Sequence, residues 1–528
     1  MTGGDDLPAD GGGQALAARA RPLAIVAGPL ACALVLVTAP GDLAGAPLHT
    51  LAVAVWVALW WVLEALPIAA TSLLPLVLLP AFGIKSAGDV ARLYMEDLLI
   101  LLLGGFLLAL ALERWGLHRR LALATLALLG GAPRRLVVGF ALAAALLSMW
   151  ISNSGTTLVL LPIALAVGQR LGRELPPAAA TRFERAVLLA IAFGATAGGL
   201  GTYVGTPPNL VFRERYARDF GAGSVGGPPE ITFLDWMVAF APLALLLSVL
   251  IGGVLAIGLP RVDGAATRAV VRAERTLLPP WCAGERLVAL LFAAAAVLWI
   301  TREPFTVGAR DWFGWAQASW PGGIEWKKGT ISDGTVAMAL VLLCFVVRVR
   351  PAVGMREHAA GARVPLLEWN EAERRMPWGI LLLFGGGFAL GDAFKTSGLS
   401  EHLGHALAGA LSGTPEFVVV LGTCLFVVFV SEFMNNTACA QVLLPILGAV
   451  APRLGLPPAL LLVAATLAAS CGFMMPAGTA PNAIVFATRR LRIGDMARVG
   501  LLLDLLCALL VTGWLLFVAP RLGLPLGR

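Results

Sequence analysis

Ser152-Asn153-Ser154 and Asn435-Asn436-Thr437 are two places where hydroxyls and carboxamides cluster inside otherwise apolar stretches, with Ser148, Thr156 and Thr157 around the first and Ser431 before the second. Hydroxyls and amide N–H groups donate to carboxylates, and the oxygens of the same groups suit a hard cation. Two further breaks, Gly205-Thr206-Pro207-Pro208-Asn209 and Gly478-Thr479-Ala480-Pro481-Asn482, would each interrupt a helix. The backbone amides and carbonyls so freed must be satisfied by protein, water or a ligand. Interhelical hydrogen bonding and a proline kink would account for any one of these motifs. Arranged as two matched pairs, they point to a binding site.

The charges around these motifs narrow the ligand. Residues 137–168, 187–212 and 458–487 contain no Asp, Glu, Lys, Arg or His, and 416–450 contain only Glu416 and Glu432. An organic cation would want more carboxylates, and an anion would find no Lys or Arg. Helix N-termini, hydroxyls and amides can hold an anion, yet net charge in a low-dielectric site is costly. A co-bound cation such as sodium offsets that cost, so the pattern favours an anion carried together with cations. Glu432 alone, without a nearby His or second carboxylate, makes a poor hydrolase, and there is no GxxxxGK[ST] motif for a nucleotide-driven pump.

The elements that must position these residues are membrane helices. The chain of 528 residues is 58% hydrophobic and 13% charged, with a mean hydropathy of +0.84, whereas a soluble domain carries about 25% charge. Apolar runs at 24–40, 49–66, 97–112, 237–259, 287–300, 332–348, 416–431 and 499–519, with shorter broken runs between them, give about ten to twelve spans. The first 21 residues, Gly-rich and charged, read as a short tail without a cleavable leader. A net charge of +7 does not imply a nucleic-acid partner here, because Arg and Lys gather in loops. The seven cysteines form no CxxC pair, and His402 and His405 beside Glu401 are not read as a metal site.

The motifs recur in order. Leu101–Phe106 resembles Leu383–Phe388, the Asn153 triplet matches the Asn436 triplet, and Gly205–Asn209 matches Gly478–Asn482, at offsets of 282, 283 and 273 residues. Basic residues mark the loops at 113–136 and 170–185, whereas the equivalents at 392–414 and 452–457 hold only Lys395 and Arg453. The third pair, 213–218 and 489–498, discriminates weakly. Positive loops are cytoplasmic, so the halves are expected as inverted-topology repeats with the site near the membrane midplane. Arg-rich 260–286 and 349–378 would be cytoplasmic, and the Trp-rich 301–331 an outer interfacial belt. A cytoplasmic N-terminus, an external C-terminus and an odd number of spans follow.

The two Asn-centred motifs, each followed by Leu-Leu-Pro-Ile (160–163 and 443–446), and the paired GTPPN and GTAPN segments resemble the divalent anion:sodium symporter family from about residue 20 to 520. Its members carry succinate and other C4-dicarboxylates, citrate and sulfate. The motifs are specific for the family and not for one anion. The resemblance implies an all-α polytopic membrane protein, a homodimer in lipid, with eleven transmembrane helices and two re-entrant hairpins. It also implies a scaffold domain and a transport domain that moves as an elevator. The corresponding divisions are a cytoplasmic tail at 1–21, scaffold helices at 22–136 and a first transport half at 137–259. Cytoplasmic loops and scaffold helices then occupy 260–415, and a second transport half 416–528. By the same resemblance one sodium would lie at Ser148, Ser152, Asn153 and Gly205, and a second at Ser431, Met434, Asn436 and Gly478. A small dianionic substrate would meet Asn153, Ser154, Asn435, Asn436 and Thr437, with Thr206, Pro207, Thr479 and Ala480 lining the site. The expected activity is sodium-coupled dicarboxylate uptake across a bacterial inner membrane. A sodium-independent exchanger, or a sulfate or citrate carrier, is the alternative. Ser154 stands where the family has Thr and Asn435 where it has Ser. Ala480 widens the side where the first repeat has Pro207.

Overall fold

The computed structural model describes residues 11–38, 43–129, 132–172, 175–220, 230–260, 269, 272–273, 275–307, 310–317, 319–320, 324–326, 330–350, 363–476, 478–524 and 526. Helices dominate. The first group is α1 (Gly11–Thr38), α2 (Ala46–Val62), α3 (Ile68–Thr71), α4 (Leu74–Ala81), α5 (Ala87–Arg92), α6 (Asp97–Arg114) and α7 (Leu117–Leu129). It is followed by α8 (Pro133–Ser148), α9 (Asn153–Gly172), α10 (Pro177–Gly198), α11 (Pro207–Phe220) and α12 (Phe233–Leu255). Then come α13 (Ala283–Ile300), α14 (Asp333–Val346), α15 (Trp369–Arg375), α16 (Trp378–Thr396) and α17 (Leu399–Ala410). The last are α18 (Glu416–Ser431), α19 (Asn436–Arg453), α20 (Pro458–Ala469), α21 (Ala480–Phe486) and α22 (Ile493–Gly513).

Local chemistry sets many of these boundaries. Proline, which lacks an N–H and holds a helical φ, opens α8, α10 and α20. A capping box starts α12, in which Asp235 N–H donates to Thr232 Oγ1 and Thr232 N–H donates to Asp235 Oδ2 at 2.9 Å. Six stretches among the described residues are long and apolar enough to cross a membrane: 87–114, 177–201, 233–255, 283–300, 378–396 and 493–522. Six shorter apolar helices accompany them, including 46–62, 333–346, 416–431 and 458–469. The Trp-rich segment expected as a plain interfacial belt carries short antiparallel ribbons, β1 (Phe305–Val307) with β2 (Arg310–Trp312) and β3 (Ser319–Trp320) with β4 (Ile324–Glu325). A third ribbon pairs β5 (Arg348–Val349) with β6 (Val364–Pro365).

The repeat is visible as element order. α8, a tip, α9, α10, an unwound segment, α11 and α12 are matched by α18, a tip, α19, α20, an unwound segment, α21 and α22. α10 packs on α8 and α9 as α20 packs on α18 and α19. The helices after the breaks cross over: α11 packs on α19 and α20, and α21 on α9 and α10. Neither half can therefore bury its continuation helix alone. Gly194 and Gly198 of α10 lie directly on the backbone of Ala141 and Ala145 of α8, where a Cβ would collide. Small residues four apart on both helices permit that approach, the usual device where lipid removes the hydrophobic drive for helix pairing.

Ion pairs join these repeats to the rest of the protein at one end of α11. Arg213 pairs with Asp333 at 2.6 Å, Arg218 with Glu96 at 3.1 Å and Asp392 at 3.4 Å, and Lys395 with Asp219 at 3.0 Å. Pairs near α21 run differently. Arg490 meets Glu184 of α10, and Arg185 of α10 meets Asp495 of α22 at 2.9 Å.

Candidate functional site

Both Asn-centred motifs sit at the turns between paired helices, and their first residues are N-caps. Ser152 Oγ accepts from Gly155 N–H at 3.1 Å, and Asn435 Oδ1 accepts from Thr437 N–H at 3.0 Å and Ala438 N–H at 3.4 Å. Ser and Asn are near-equal N-caps, which gives the departure at Asn435 a local role. Its oxygen is committed to α19, so only its NH2 group is free for a ligand. The second residues, Asn153 and Asn436, open α9 and α19.

Each break is pinned to a tip. In the first, Thr202 Oγ1 donates to the Met149 carbonyl and accepts from Gly205 N–H at 3.1 Å. Asn209, fully buried, uses its NH2 group to gather the carbonyls of Gly199 at 2.9 Å and Thr202 at 2.7 Å. Gly199 and Gly205 touch through their backbones, with no room for a Cβ on Gly205. The second break is held with opposite polarity. Glu432 accepts from Met474 N–H at 2.7 Å and Met475 N–H at 2.8 Å, and Asp504 accepts from Phe473 N–H at 3.1 Å. Asn482 repeats the Asn209 role more weakly, donating to the Met475 carbonyl at 3.1 Å.

At the first tip, one end of the Asn153 carboxamide lies 2.5 Å from Ser148 Oγ, 3.1 Å from the Gly205 carbonyl and 3.3 Å from the Ala195 carbonyl. With nitrogen there, the group donates to these neighbours. With oxygen there, the Ser148 hydroxyl donates to it and the Gly205 and Ala195 carbonyls remain close, an oxygen-rich arrangement that suits a cation. At the second tip Asn436 Oδ1 is buried and has no hydrogen-bond partner, and Ser431 is fully buried.

These features meet in one cavity of 520 Å³. Ser152, Asn153, Ser154, Gly205, Thr206, Pro207, Met434, Asn435, Asn436, Thr437, Gly478, Thr479 and Ala480 all line it. Ser148 and Ser431, expected as sodium ligands, lie behind the wall, fully buried. The first residues of α9, α11, α19 and α21 (Asn153, Pro207, Asn436 and Ala480) are all in the wall. The positive ends of these helix dipoles therefore face the cavity, although α11 opens on two prolines without N–H groups and the first turns of α9, α19 and α21 are largely capped by Ser152, Asn435 and Thr479. The opposite wall comes from the turn after α2, including Glu64, and from Phe106 and Leu383. No Lys or Arg lines the cavity.

Two kinds of contributor lie outside the expected site residues. Asn209 and Asn482 were visible as the last residues of the GTPPN and GTAPN motifs and turn out to shape the breaks. Asp504, 1% exposed, is a buried carboxylate besides Glu432. It sits alone in the apolar run of α22, without any spacing signal. Glu432, noted in the sequence as a lone carboxylate near the second motif, hydrogen-bonds the second break.

Comparison with known proteins agrees with this geometry. The model of the sodium:sulfate symporter transmembrane region matches residues 19–519. A sodium-dependent dicarboxylate transporter, SdcS, of Staphylococcus saprophyticus is 35% identical over 504 residues, covering 94% of this chain and 91% of that protein. Its namesake from Staphylococcus aureus is 35% identical over 510 residues, with the same coverage. Among solved structures, the Alcanivorax borkumensis YdaH transporter aligns with a TM-score of 0.54 at 18% identity, over 91% of this chain and 100% of its own. Neisseria gonorrhoeae MtrF aligns with a TM-score of 0.52 at 15% identity, over 82% and 84%. At such identities these two speak for the fold alone. The chain is an integral membrane transporter rather than an enzyme, and it belongs to the sodium:sulfate symporter family, the divalent anion:sodium symporters that its paired motifs resemble.

Proposed function

We propose that this protein is a secondary transporter that takes up C4-dicarboxylates together with sodium. The observation that carries the reading is the cavity wall, where helix N-termini converge, no basic side chain stands, and the Asn153 carboxamide faces a cluster of oxygens. The N-termini and the side chains of Ser154, Asn435 and Thr437 suit carboxylates. Ser148, Asn153 and the Gly205 carbonyl suit one sodium. The unpartnered Oδ1 of Asn436, with Ser431, Met434 and Gly478, suits a second. The dicarboxylate class and sodium dependence carried in the names of the relatives support the same choice. A volume of 520 Å³ is within the range of about 300–1,000 Å³ typical of small-molecule sites.

In this reading residues 137–259 and 416–528 form a transport domain that moves as an elevator against a scaffold of 22–136 and 260–415, in a homodimer of the bacterial inner membrane with a cytoplasmic N-terminus. The interlocked packing of α11 and α21 supports two halves moving as one body. The test is reconstitution in liposomes with labelled succinate, citrate and sulfate, with and without an inward sodium gradient. Succinate uptake should rise steeply with sodium. Uptake that ignores sodium and follows internal dicarboxylate would make the protein an exchanger, and preference for sulfate would reassign the substrate.

A further inference from the structure

The turn that links α2 to α3 holds Glu64 at φ 46°. Only one other non-glycine among the described residues, Arg489, has a positive φ. The left-handed region is cheap for Gly and tolerable for Asn, but it is strained for Glu and persists where the surroundings enforce it. Here they do. Ala65 is fully buried, its N–H bonded to the Trp60 carbonyl at 3.3 Å, and Trp61 is anchored through Nε1 to Ser72 Oγ at 3.1 Å.

The side chain takes no part in that anchoring. Glu64 is exposed, lines the central cavity, and has no hydrogen bond or ion pair among the described residues. The other charged residue in the wall, Glu432, is engaged by two backbone N–H groups. One free carboxylate therefore faces a cavity that offers donors to an anion as well as oxygens to cations. Helix N-termini and hydroxyls offer a dianion some attraction even before the cations are bound. A fixed negative charge repels the bare dianion, and this repulsion disappears when bound cations cancel the charge.

We propose that Glu64 is the specificity-determining residue that makes anion loading conditional on sodium. It rejects the unaccompanied dianion and accepts the dianion with its cations, so it suppresses anion leak. This rests on the sodium–dicarboxylate reading of the site. Glu64 belongs to neither repeat half that bears the motifs, so its charge stays in place while the cargo moves past it.

The test compares wild type with Glu64→Gln, Glu64→Asp and Glu64→Gly, each as the full chain in liposomes, for succinate uptake over a range of sodium concentrations. Glu64→Gln should raise sodium-free uptake by about fivefold or more and flatten the sodium dependence, as loss of a like-charge repulsion at close range requires. The KM for succinate should fall at low sodium and change less than about twofold at saturating sodium, where the cargo is already neutralised. Glu64→Asp should keep the coupling. Glu64→Gly should melt at or above the wild-type temperature, because the strain is relieved, while losing coupling as Glu64→Gln does. That combination separates the charge from a structural role and covers a Glu64→Gln protein that fails to assemble. An unchanged sodium curve in Glu64→Gln or Glu64→Gly overturns the inference, as does equal loss of uptake at every sodium concentration. Absence of sodium-driven dicarboxylate uptake in the wild type overturns the underlying reading instead.

Discussion

Asn153 and Asn436 are the residues on which transport should depend most, because each brings an amide to a tip where backbone oxygens or an unpartnered Oδ1 face a ligand. Asn153→Ala and Asn436→Ala should each cut sodium-driven succinate uptake at least about tenfold, the loss of one or two strong polar contacts. The protein should still purify as a folded species, measured by thermal melting in detergent. Asn209 differs, since its NH2 group holds carbonyls together and touches no cargo. Asn209→Asp sets a carboxylate against the carbonyls of Gly199 and Thr202. It should lower the melting temperature and abolish uptake, whereas Asn209→Ser should restore part of both. The sequence displayed the Asn motifs because polar residues stand out in apolar surroundings and because they recur in register. It hid Asp504 and Glu64, whose partners and exposure come from elements distant in the chain.

At the level of elements, close packing of α8 on α10 ties the first tip to the first break. Gly198→Val would drive two methyl groups into the backbone of Ala145. Overpacking of this kind costs about 1–3 kcal/mol, and its sign is a lower melting temperature with reduced uptake, readable on one preparation. Residues 137–168 read as one uncharged stretch, and the break within it, between Ser148 and Asn153, is set by the capping chemistry of Ser152 and by the Thr202 hydroxyl that donates to the Met149 carbonyl. The crossing of α11 and α21 into opposite halves was not legible, since periodicity carries no information about which half a short helix packs on. The ribbons in 305–325 escaped for a related reason. Two- and three-residue strands lack a pattern, and the tryptophans around them suggested an interface only.

The whole molecule offers one more test. In the proposed elevator cycle, the ion pairs from α11 to Glu96, Asp333 and Asp392 must open. Partly exposed pairs contribute about 0–1 kcal/mol each. Combining Glu96→Gln with Asp392→Asn should therefore shift the orientation of the unloaded protein by about threefold to tenfold. The measurement is the uptake constant from each side of oriented liposomes, at low and high salt. Because α11 is bonded outward to other helices while Arg490 after α21 and Arg185 of α10 are bonded within the repeats, the proposed cycle predicts a resting side for the idle carrier. A solute arriving on the other side meets only the minority already turned toward it, so its apparent affinity is weakened by the reciprocal of that fraction. Two faces of the membrane can then report different affinities for one nearly symmetric site, and the difference would be written in salt bridges outside its wall.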